Sequence, residues 1–274
     1  MGLGVTRKIL AVIFSVVIAV SVVVLIASLA VRYTLADQGF LKKTLISAEV
    51  VAQCDAQLTA KYETLSAETN IPARVFETVK DDYPIERSAK TAIDNIFGAE
   101  DTALYNSNMV NYFYNLCTEY LDGSDIAYEE EDITNTAEQA AMIFSDTVGL
   151  HHVDAVREKV NGLSVKATRL MTLSVFVIVF AVILIFVLYT DKVRGLYYVF
   201  GGFSGGAIGT LLAAALCLLT KVAARVTVMP AVYQSAMNRS AVYCFAVMML
   251  ASAVTLFLSS ASSVITDKKS HQRK

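Results

Sequence analysis

Few residues of this chain carry obvious chemistry. His151 and His152 are followed by Asp154 and Glu158. On a helix, His151, Asp154 and Glu158 fall at i, i+3 and i+7 and share one face. One imidazole and two carboxylates so arranged can ligate a metal ion. The same three residues also make an ordinary solvated face, and no HxxxH or CxxC spacing supports a metal centre. Cysteine offers a second possibility. Cys54 and Cys117 lie in the polar middle of the chain, whereas Cys217 and Cys244 lie in apolar runs. In an oxidising compartment Cys54 and Cys117 either bridge or persist as buried thiols that behave as small hydrophobes.

Two acidic runs, Asp122-Gly123-Ser124-Asp125 and Glu129-Glu130-Glu131-Asp132, invite comparison with calcium loops. Neither keeps the twelve-residue spacing with glycine at position six and a closing Glu, so a solvated loop or helix start is the simpler reading. No Gly-x-Ser-x-Gly elbow is expected, HExxH and phosphate-loop patterns are absent, and no basic cluster is interleaved with aromatics. Hydrolytic zinc, nucleotide and nucleic-acid chemistry therefore have no sequence support. No catalytic residue and no cofactor is implied.

The remaining pattern is one of small residues. Gly201, Gly205 and Gly209 recur every four positions, as do Gly202 and Gly206. Such a surface lets a second helix approach closely in a membrane, within the chain or from a partner. Ser252, Thr255, Ser259 and Ser263 form a hydroxyl stripe further on, which either bonds its own helix backbone or lines a polar path.

These residues need elements to hold them. Of the 274 residues, 55% are hydrophobic and 18% charged, a balance displaced from that of soluble domains. The apolar residues are concentrated in four runs, 9–31, 170–189, 196–220 and 241–266. A bilayer core of about 30 Å is crossed by about 20 helical residues. The first run exceeds the length of a signal-peptide core and reads as an uncleaved signal anchor. None of the runs carries an ionisable residue in its central stretch, which argues against a charge-coupled pump.

Orientation follows from Lys and Arg near the span ends. Arg7 and Lys8, Lys192 and Arg194, and Lys268, Lys269, Arg273 and Lys274 fall on one side, opposed by Lys221, Arg225 and Arg239. Both termini are thus expected in the cytoplasm of a plasma-membrane protein. Tyr33, Tyr189, Tyr197, Tyr198 and Tyr243 supply the interfacial aromatics in a chain without Trp.

The expected organisation is an all-α membrane protein with four spans and a helical-bundle extracytoplasmic domain between spans one and two. Residues 1–8 form the cytoplasmic N-terminus, 9–31 the first span, 32–169 the outer domain and 170–189 the second span. A cytoplasmic link, 190–195, leads to the Gly-rich third span, 196–220. An outer link, 221–240, with an interfacial helix near 231–237, precedes the fourth span, 241–266, and a basic tail, 267–274. Asn238-Arg239-Ser240 in that link spells a glycosylation acceptor.

Within 32–169, Leu41, Leu45, Ala48, Val51, Cys54, Leu58, Tyr62 and Leu65 recur at helical spacing. The pattern predicts that span one continues outward as one long helix, kinked at most near Gly39. Asn70-Ile71-Pro72 should end it, and Pro72 and Pro84 should open further helices, the latter stopping at Gly98. Asp101 is expected to cap a fourth helix ending at Gly123, and Asn135-Thr136-Ala137-Glu138 to cap a fifth that runs on toward span two.

The formal net charge of −2 conceals a division. Residues 32–169 hold 12 Lys and Arg against 23 Asp and Glu, a net −11, and the rest of the chain nets +9. The functional expectation is a membrane-embedded binding or interaction protein, a non-catalytic accessory or assembly component of a membrane complex. Its partners would be the lipid bilayer and a protein that meets the acidic domain or the Gly-rich span. The alternatives are a transport or channel component with a path along spans three and four, and an extracytoplasmic enzyme with a metal near His151.

Overall fold

The computed structural model describes residues 3–98, 106–124, 129–149, 153–189, 191–222 and 231–271. Among the described residues all regular structure is helical, with no strand. In chain order the helices are α1 (Leu3–Tyr33), α2 (Gln38–Leu45), α3 (Ala48–Thr69), α4 (Ala73–Glu77), α5 (Val79–Asp82), α6 (Ile85–Phe97), α7 (Ser107–Asp122), α8 (Glu130–Thr147), α9 (Val153–Leu188), α10 (Lys192–Leu219) and α11 (Ala231–His271). Four segments are long and apolar enough to cross a bilayer: Val5–Tyr33, Arg157–Leu188, Lys192–Leu219 and Tyr233–Thr266. This is the architecture of a multi-pass membrane protein.

The chain divides into two compact units. One comprises Met1–Asp37, Gly162–Val226 and Ser240–Lys274; the other comprises Gln38–Asn161 and Thr227–Arg239.

In the first unit α1, α9, α10 and α11 share one apolar cluster. Ala11, Ile18, Val22, Ile26 and Ala30 of α1 pack with Ile178, Ala181 and Ile185 of α9, Val199 and Ala214 of α10, and Cys244 and Met248 of α11. Large apolar side chains on the opposite faces, such as Phe176, Phe180, Val187, Leu219 and Phe257, are exposed, as the lipid-facing side of a span requires. Asp191 caps α10 by accepting a hydrogen bond from the Val193 amide at 3.2 Å, the role its short carboxylate suits at a helix start.

The second unit is a helical bundle with its own core. Leu58, Tyr62 and Leu65 of α3, Phe76 of α4, Phe113 and Cys117 of α7, and Ala137, Ala140, Ala141 and Phe144 of α8 are buried together. Alanines on α8 let α7 and α3 come close, and the aromatic rings fill the space. Tyr62 lies 5.6 Å from Phe76 and 6.1 Å from Phe113, centroid to centroid, within the range of favourable aromatic pairs. Tyr233 and Ala236, from the start of α11, belong to this same core.

Several boundaries differ from the sequence expectation. The first helix does not continue as one long helix into the following segment but ends at Tyr33. The Thr34 hydroxyl donates to the Ala30 carbonyl at 2.6 Å, and the Ala36 amide donates to the Val31 carbonyl at 3.0 Å. These bonds close a turn in place of the next helical repeat. A second break falls at Ser47, whose extended backbone precedes α3, while Gly39 sits inside α2 without a break. Asn70, at φ 59°, ends α3 in the left-handed conformation that Asn tolerates.

For α7 the capping residue is Asn106, whose side chain accepts from the Met109 amide at 3.0 Å. Asp101 lies outside the described residues. Helix α8 begins at Glu130, so Asn135 and Glu138 are interior rather than a capping box. Glu130, Glu131 and Asp132 occupy its first turn, where the helix dipole favours negative charge. Nor does the segment 231–237 form a separate interfacial helix: it is the beginning of α11, with Tyr233 and Ala236 buried.

Candidate functional site

The glycine face of α10 is where two spans meet most closely. A Cβ on Gly202 would stand 2.7 Å from the Ser15 carbonyl oxygen, and one on Gly206 would stand 2.6 Å from that of Ala19. At Gly201, Gly205 and Gly209 a Cβ would meet its nearest α1 atom at 3.6–3.7 Å. Gly202 and Gly206 therefore form the contact line, and the other three flank it. The Ser15 hydroxyl donates to the Tyr198 carbonyl at 2.8 Å across the same pair of helices. This surface is filled from within the chain.

Contrary to the expectation that no such pattern is present, Gly202-Phe203-Ser204-Gly205-Gly206 spells the Gly-x-Ser-x-Gly of a hydrolase nucleophile elbow. An elbow needs a strained strand-to-helix turn and a neighbouring base. Ser204 lies inside α10, and its hydroxyl is 2.8 Å from the Ser259 hydroxyl of α11. This serine joins two helices and has no base beside it among the described residues.

The hydroxyl stripe is similarly turned inward. Ser252 donates to the Met248 carbonyl at 2.7 Å, Thr255 to Ala251 at 2.8 Å and Ser259 to Leu256 at 3.0 Å. Each satisfies its own helix backbone, the common solution for hydroxyls in hydrocarbon.

Cys54 and Cys117 are both free and buried. The Cys54 thiol faces the Thr147 carbonyl of α8 at 3.8 Å. Burial pushes this thiol upward in pKa, with the neighbouring Tyr233 hydroxyl pulling the other way. The Tyr233 hydroxyl donates to the Val148 carbonyl at 2.7 Å. Cys117, buried on α7, is pushed up to about 11 by desolvation. Neither thiol has the electropositive, accessible setting that makes a cysteine reactive.

For the candidate metal ligands, His151 lies outside the described residues, as does His152. Asp154 lies in the first turn of α9 and Glu158, further along, is exposed. Among the described residues no group of three His, Cys, Asp or Glu is arranged to hold a metal ion. Asn238 is held in α11, where the Gln234 amide donates to its oxygen at 3.0 Å, and Ser240 is fully buried. An acceptor asparagine so placed is not in a surface loop.

The second unit carries a feature that runs deeper than its net charge. From residue 91 to 156, the stretch containing α7 and α8, the sequence has 13 Asp and Glu and no Lys or Arg. Several basic residues of the unit from outside that stretch have partners, some within it and some beyond it. Lys42 pairs with Asp94, Lys80 with Asp55 at 2.7 Å, and Arg239 with Glu49 at 2.6 Å. Lys61 donates to the Thr147 hydroxyl at 2.9 Å, and Arg157 to the Asn95 carbonyl at 2.6 Å.

Where the end of α3 meets the end of α7 and the start of α8, a cavity of about 540 Å³ opens. Ile71, Leu121, Ile133 and Thr136 are its buried floor, and Glu68, Asn70, Asp132, Asn135 and Gln139 are its exposed walls.

No known protein family matches the chain, and neither does any curated protein or solved structure.

Proposed function

We propose that this is a plasma-membrane protein with both termini in the cytoplasm, which presents its acidic helical unit outside the cell to bind a basic partner. On this reading it is a non-catalytic accessory or assembly component of a membrane complex. The observation that carries it is the division of charge between residues 32–169, at net −11, and the rest of the chain, at net +9. Basic residues near span ends favour the cytoplasmic side, and an acidic surface favours a partner of opposite charge.

Two arms test the reading. Glu131→Cys and Arg194→Cys place thiols at exposed positions, and an impermeant maleimide is applied to intact cells. Glu131→Cys should label at once and Arg194→Cys only after permeabilisation; the reverse pattern overturns the orientation. Crosslinking in native membranes should then trap a basic neighbour, with a yield that falls as salt rises. A chain that stays monomeric and uncrosslinked at low salt overturns the interaction reading.

A further inference from the structure

The cavity between α3, α7 and α8 has a consistent chemistry. Its floor is largely aliphatic: Ile71, Leu121 and Ile133 are each at most 5% exposed. Its walls present two carboxylates, Glu68 and Asp132, and three carboxamides, Asn70, Asn135 and Gln139. None of these five side chains has a hydrogen-bond or ion-pair partner among the described residues. No Lys, Arg or His lines the cavity among the described residues. Elsewhere in the unit carboxylates do find cations, as Asp55, Glu49 and Asp94 show. Glu68 and Asp132 are left with negative charge facing one shared space.

That combination selects a ligand class. An anion would meet two carboxylates and no cation. A neutral polyol would satisfy the amides and leave the charge uncompensated. A bare divalent ion needs a compact oxygen cage, whereas this space is within the 300–1,000 Å³ typical of organic ligand sites and has an apolar floor. A cation on a methylene stem meets every part of it. The stem covers the aliphatic floor, as lysine and arginine stems cover apolar surface, and the N–H donors reach the carboxylate and amide oxygens in charge-assisted bonds.

We propose that the α3–α7–α8 cavity binds an aliphatic cation, an alkylammonium or alkylguanidinium group, with its stem on Ile71, Leu121 and Ile133 and its charge held by Glu68 and Asp132. The group comes either from a free polyamine-type molecule or from a Lys or Arg side chain of a protein. The site does not depend on which side of the bilayer the unit occupies, so it stands or falls separately from the orientation proposed above.

The test is calorimetric titration of the full chain in nanodiscs at fixed salt. The probes are spermidine, agmatine, a short Lys/Arg peptide, fully acetylated spermidine and Mg²⁺. Spermidine or agmatine should bind at one site, at least tenfold more weakly to Glu68→Gln and to Asp132→Asn, and unchanged to Glu63→Gln, an exposed acid of α3 away from the cavity. Each variant should keep its helical content and unfolding midpoint, since all three side chains are exposed. The same dependence confined to the peptide assigns the cation to a partner's side chain. Failure of all three cationic probes to bind, equal binding to the cavity variants, equal binding of acetylated spermidine, or displacement by stoichiometric Mg²⁺ would each overturn the proposal.

Discussion

Cys117 and Cys54 show what burial does to a reactive group. A thiol at about 11 leaves on the order of one thiolate in ten thousand at pH 7, and the thiolate is the nucleophile. In the folded chain at pH 7.5, iodoacetamide should therefore add no mass to either residue within minutes. Both should be modified after denaturation without reductant; a requirement for reductant would mean that they are bridged after all. The sequence shows that both cysteines lie on apolar faces, because helical spacing shows which positions share a face. It could not show whether the sulfurs meet, since a bridge depends on Cα separation and Cβ direction between elements distant in the chain. The cavity residues were opaque for the same reason. Glu68, Leu121 and Asp132 come from three helices, and no local pattern links them.

Helices as units were legible where a long apolar run or a proline marks them. Pro84 precedes α6, with the fixed φ that suits a helix start, and Gly98 follows it in extended backbone. Breaks set by local backbone geometry were not legible. Thr34 and Ser47 end or open helices through local backbone geometry, and the apolar stripe runs across both.

The α1–α10 contact yields a sharper test, because the five glycines of one stripe are not equivalent. Gly202→Ala and Gly206→Ala must push a Cβ into backbone oxygen at 2.6–2.7 Å. Each should cost roughly 1–3 kcal/mol, the usual penalty for overpacking. Gly201→Ala, Gly205→Ala and Gly209→Ala have ordinary contact distances and should be neutral or slightly stabilising, since alanine favours helix more than glycine. SDS-induced unfolding in mixed micelles measures all five. A uniform response across the stripe would contradict the register of the two helices.

For the whole molecule, composition was the most informative level. Four long apolar runs among polar segments fix the number of membrane-crossing helices, because the bilayer thickness sets their length. Charge segregation was equally visible, but which acids pair and which remain unpaired required the fold. The second unit holds many like charges, with the 66 residues from 91 to 156 lacking any Lys or Arg. Self-repulsion of this kind weakens a compact state and is screened by salt, as the Debye length falls from about 30 Å at 0.01 M to about 8 Å at 0.15 M. The unfolding midpoint of this unit, followed by tyrosine fluorescence in the Trp-free chain, should rise over that range. A fall, or no change, would mean that the paired acids outweigh the unpaired ones.

The close approach of α1 and α10 has a consequence for how the protein is made. Ser15 and its acceptor Tyr198 are 183 residues apart. At synthesis rates of about 5–20 residues per second, roughly ten to forty seconds separate their emergence from the ribosome. Throughout that interval the first span lies in the bilayer with the groove that will receive Gly202 and Gly206 still open to lipid. Gln38–Asn161, the larger part of the second unit, lies between them in sequence and is translated before the first span meets its partner, whereas Tyr233 and Ala236 of the same core follow later.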